Sequence, residues 1–77
     1  MAANAAKSDN SKSKAVDTLV AVTEIVLQHR GDKPTIASIA RVTNRASHLL
    51  RIGDLDERLE TENAATIQIA KRQGLMS

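Results

Sequence analysis

The sequence predicts an all-α domain of three to four short helices behind a disordered N-terminal arm. Apolar residues recur at steps of three and four from about Lys14 onward. No segment alternates with the period of two that a half-buried strand requires. Glycine, proline or asparagine falls wherever the helical period breaks. With 77 residues the chain is long enough for one domain, over 14–77, with the arm over 1–13.

The arm, "MAANAAKSDNSKS", is Ala-, Ser-, Asn- and Lys-rich with no apolar period. The first helix follows from Lys14 to Arg30. Val16, Leu19, Val20, Thr23, Val26 and Leu27 form its stripe, and Val22 and Ile25 widen it. Arg30 suits the negative end of the helix dipole, and Gly31 supplies a left-handed residue after it. The turn "GDKP" comes next, Lys33 being biased away from helix by Pro34.

Thr35 stands where an N-cap belongs, so a second helix is expected over Ile36 to Val42, burying Ile36, Ile39 and Ala40. Thr43 and Asn44 predict a break, because Asn tolerates the left-handed conformation. A third helix restarts near Arg45 with Ala46, Leu49 and Leu50 inward, and Gly53 ends it. Asp54 then caps a last helix, with Glu57 at the capping-box spacing, acidic first turns, and Lys71 and Arg72 at its end. Its stripe is Leu55, Leu59, Thr66, Ile69 and Ala70. The polar interruption near Glu62 leaves open one long helix or two short ones.

Composition narrows the function. At 42% hydrophobic and 26% charged the chain is globular in type. It has no Phe, Trp or Tyr, so its core must be built from Ala, Val, Ile and Leu. A core this small supplies about 3–5 kcal/mol, which predicts association, most simply as a homodimer. The absence of cysteine excludes disulfides, thiolate metal sites and a cysteine nucleophile. No apolar run reaches the roughly 18 residues of a membrane span, and the N-terminus lacks the apolar core of a secretory signal. A cytoplasmic protein is the expectation, nucleoid-associated if it binds DNA.

The net charge of +2 matters less than its arrangement. From His29 to Arg51 there are Arg30, Lys33, Arg41, Arg45 and Arg51 against Asp32 alone. From Asp54 to Glu62 the sign reverses, with Asp54, Asp56, Glu57, Glu60 and Glu62 against Arg58. One positive face bounded by an acidic segment follows.

The stretch "TIASIARVTNRASHLL" resembles the helix-turn-helix of bacterial DNA-binding regulators and of their mobile elements. Thr35, Ile36, Ala37, Ile39, Ala40 and Arg41 are similar to the "T-I-x-x-I-A-R" opening many of them carry. The likeness is at class level and covers 35–53, or somewhat more with the first helix. The departures are Asn44 at the usual glycine, then Arg45 and Gly53 at positions usually apolar. The resemblance implies a reading helix that lies in the major groove of double-stranded DNA. Its outward face would present Asn44, Arg45, Ser47, His48 and Arg51, side chains able to pair with base edges. Thr35 and the helix N-terminus beside it would hold a phosphate, while Lys33 and Arg41 add salt-sensitive attraction. The function implied is that of a small transcriptional regulator or a site-marking protein.

The competing reading is a helical protein–protein interaction module, an adaptor or inhibitor, docking through the last helix. Leu55, Leu59, Ile67, Ile69 and Leu75 would form either that surface or the dimer contact. An RNA-binding bundle is weaker, because no aromatic side chain exists to stack on bases. The acidic run "DLDERLETE" does not make a calcium loop, since Arg58 and Leu59 stand where a donor and a glycine are needed. His29 and His48 lack partners at helical metal-site spacing. No nucleophile–base pair or phosphate loop is present, so no catalysis, cofactor or metal is expected.

Overall fold

Three helices follow in order: α1 (Ala2–Arg30), α2 (Ile36–Leu50) and α3 (Leu55–Arg72), each packed on the other two. The computed structural model describes the backbone of residues 2–31 and 33–76 and the side chains of 13–31 and 33–76. No strand occurs among the described residues, so the chain is all-α. α1 is bounded at Ala2, ahead of the Lys14 start that the apolar period predicts. The disordered arm expected over 1–13 falls almost entirely on side chains outside the described set.

α1 buries Leu19, Val20 and Thr23, with Val16, Val22 and Leu27 packed at the margin of the core. Ile25, expected on the stripe, is exposed, since it sits roughly 200° round the helix from Thr23. Val26 is exposed as well. Gly31 closes the helix at φ 73 and donates its N–H to the Leu27 carbonyl.

α2 begins as expected and continues as it should not. Thr35 caps it reciprocally with Ser38: the Ser38 N–H donates to Thr35 Oγ1 (3.1 Å), and the Thr35 N–H donates to Ser38 Oγ (2.8 Å). The break predicted at Thr43–Asn44 is absent, and one helix of 15 residues replaces two short ones. Thr43 stays helical because its hydroxyl turns inward and donates to the Ile39 carbonyl at 2.7 Å. The unbroken register buries Ile39, Val42, Thr43, Ala46 and Ser47, a regular series at steps of one and three. Ile36, Ala40, Leu49 and Leu50, expected inside, are exposed: Ala40 lies off the inward face, whereas Ile36 and Leu50 lie in line with it and Leu49 at its margin, but in the first and last turns of the helix. The α2–α3 turn contains Arg51, left-handed at φ 54, and Gly53 at φ 53. A Cβ at Gly53 would lie 2.8 Å from Glu57 Cβ, so this glycine is required sterically as well as conformationally.

α3 is one continuous helix, its Asp54 cap accepting from the Glu57 N–H at 3.0 Å. It buries Thr61, Glu62, Ala65, Ile69 and Ala70. Leu19, Val20, Ile39, Ala46, Ala65, Ile69 and Ala70 form the apolar core. Three of those seven are alanines, which lets the helices approach closely where no aromatic side chain is available to fill space.

Beside this core lies a polar joint. Glu62, only 8% exposed, accepts from Asn44 Nδ2 at 2.9 Å on one carboxylate oxygen and from the Ser47 hydroxyl on the other. Arg58 stands one turn before it on α3, with Nε 3.7 Å from the same carboxylate. A buried carboxylate is tolerable when hydrogen bonds replace its lost water, which Asn44 and Ser47 provide. At the other end Arg72 bridges to Glu24 of α1 at 3.0 Å, more exposed and accordingly weaker.

Removing the carboxylate should strand the Asn44 amide, while the Ser47 hydroxyl can still donate to the Asn44 carbonyl 2.9 Å away. We expect Glu62→Ala to cost about 2–3 kcal/mol and Ser47→Ala about 1 kcal/mol, read from thermal or urea melts at the helical circular-dichroism band. Equal stability of Glu62→Ala and wild type would mean that the joint does not hold α2 to α3. Gly53→Ala should cost about 1–2 kcal/mol, measured the same way.

Candidate nucleic-acid interface

The continuous register of α2 decides which of its residues face outward. With Ile39, Val42, Thr43, Ala46 and Ser47 inside, the exposed side carries Ala37, Ala40, Arg41, Asn44, Arg45 and His48. Arg41 and Arg45 are one turn apart, and His48 follows within the next turn, so the three share one strip of the helix. No carboxylate occurs in α2 to neutralise them. Ala37 and Ala40 keep the first half of the same face low, so that a broad surface can approach the backbone. At roughly 1.5 Å per residue the helix is about 22 Å long, more than the width of a DNA major groove.

Lys33 is exposed just ahead of this helix and lines a shallow cleft with Arg30, Thr35 and Ser38 at its N-terminus. Thr35 itself is exposed, but its side chain and N–H are engaged in the cap. Arg51 is exposed at the far end, in the turn. Lys33, Arg41, Arg45, His48 and Arg51 are thus exposed, as expected of contact residues.

Two others are corrected. Ser47, expected on the reading face, is 0% exposed and bonds to Glu62, because the helix is not re-phased at Asn44. Asn44 is at the surface, but its amide donates to Glu62 and is not free to pair with a base. Among the residues expected to meet a protein partner, Leu55, Leu59, Ile67 and Leu75 are exposed. Ile69 is not: it is 0% exposed at the centre of the three helices. The structural roles of Glu62 and Ser38 were missed, although an acid midway along an apolar stripe and a serine three residues after Thr35 were visible in the sequence.

Among the described residues, no three His, Asp or Glu side chains are grouped so as to hold a metal ion, and no helix is long and apolar enough to cross a membrane. No family model, curated protein or solved structure matches the chain.

Proposed function

We propose that the protein binds double-stranded DNA with the exposed basic face of α2, as a small transcriptional regulator or a site-marking protein of a mobile element. The observation that carries this reading is the strip of Arg41, Arg45 and His48, uncovered by α1 and α3 and free of carboxylates. Arginine suits the role because its planar fork pairs bidentately with guanine or with a phosphate. The reading helix is then α2 as a whole, and base contacts fall to Arg41, Arg45 and His48. Lys33, and Arg30 beside it, stand where the phosphate backbone would pass the N-terminus of α2.

Binding should appear in a fluorescence-anisotropy titration with mixed-sequence duplex, and it should weaken steeply between about 50 and 200 mM salt. Each of Arg41→Ala and Arg45→Ala should reduce the slope of log K against log salt by about one, as loss of one ionic contact does. Lys71→Ala, on the exposed surface of α3, should leave the slope unchanged. No binding at the lower salt, or equal binding by the Arg41/Arg45 double variant, would overturn the proposal.

A second reading, a helical module that docks on another protein, is supported by the exposure of Leu55, Leu59, Ile67 and Leu75. The two are separated by the same Arg41/Arg45 variant, which should abolish DNA binding and spare a contact made through α3.

A further inference from the structure

We propose that two copies of the chain pair about the α2–α3 turn, in a closed twofold contact centred on Leu49, Leu50, Leu55 and Leu59. These four leucines fall within eleven residues of sequence, on either side of a turn of four residues. The turn keeps the last turn of α2 and the first turns of α3 at one end of the bundle. There the leucines are 80%, 39%, 60% and 47% exposed, in that order. Scattered exposed leucines are ordinary, whereas four gathered at one end of a small domain mark a contact surface.

The charges around them say which partner fits. Arg51 stands exposed in the turn on the α2 side. Asp56 and Glu60 stand exposed one turn apart on α3, next to Leu55 and Leu59. The surface thus has an apolar centre, a basic margin at the C-terminal cap of α2 and an acidic margin on α3. A partner of a single sign would match one margin and oppose the other. A second copy turned through a twofold axis matches both, since the α2 margin of each then meets the α3 margin of its mate. Arg51 adds to this: it holds a left-handed φ of 54 that glycine would adopt at lower cost, so the backbone alone does not call for an arginine there. The proposal does not depend on DNA binding, and it is tested without DNA.

Sedimentation equilibrium of the full chain over a wide concentration range should show a monomer–dimer equilibrium. Leu55→Glu should weaken the dimer roughly tenfold or more, and Ile67→Glu, three turns further along α3, should leave it unchanged. Circular dichroism of both variants checks that they fold, which their surface positions allow. Arg51→Glu and the Asp56→Lys/Glu60→Lys double variant should each self-associate less than wild type, because each would oppose like charges across the axis. Mixing the two should restore a dimer containing one of each. A wild type that stays monomeric, an open polymer in place of a dimer, loss of association in Ile67→Glu but not Leu55→Glu, or no recovery on mixing would each overturn the proposal.

Discussion

The buried carboxylate of Glu62 is the constraint around which α2 and α3 are arranged. An apolar contact between two helices tolerates sliding or rotation by part of a turn, because one methyl group can replace another. A carboxylate with both oxygens engaged does not, since any shift leaves a charge without its donors in a region poor in water. Asn44 and Ser47 are three residues apart on α2, and both reach the same group on α3. They therefore fix the rotation of α2 as well as its height. That rotation is what sends Arg41, Arg45 and His48 outward together. A core in which three of seven members are alanine could not have set this phase by shape alone.

Much of the architecture could be read from the sequence, where the signals were local. The left-handed Gly31, the Thr35 cap and the Asp54 cap depend on residues within one turn, and all three were recognisable from spacing. The continuity of α2 was not. Its inward series runs through Ile39, Val42, Thr43, Ala46 and Ser47, and two of those five are polar. Polar residues on an apolar face look like a break until their partners are known. Thr43 finds its partner one turn back, whereas Ser47 has within reach both the Asn44 carbonyl one turn back and a carboxylate 15 residues away, on another helix. The same limit applies to Ile67 and Ile69. They are equally apolar and lie roughly 200° apart on α3, and only the position of α1 and α2 decides which is core and which is surface.

The candidate site was legible in composition and not in shape. The reversal of charge between the segments ending at Arg51 and beginning at Asp54 is plain in the sequence, and in the fold it becomes a difference between two neighbouring helices. The side chains named for base contact change by two: Ser47 is inside, and Asn44 is held by Glu62. What remains at the surface is more strongly basic and less varied in hydrogen bonding than the sequence suggested. Such a face favours affinity for an anionic surface more than discrimination among base sequences.

The three helix contacts are also unequal in kind, with a consequence for what each can tolerate. α2 and α3 are adjacent in sequence and joined by a buried carboxylate whose bonds span 15 and 18 residues. α1 is held to them by apolar packing and by the exposed Glu24–Arg72 pair, which spans 48 residues. Substitutions on the apolar face of α1 can therefore be absorbed by small shifts of that helix, whereas the contact of α2 with α3 tolerates none that removes a donor or the carboxylate. The basic strip of α2 thus belongs to the half of the fold whose rotation is set by directional bonds.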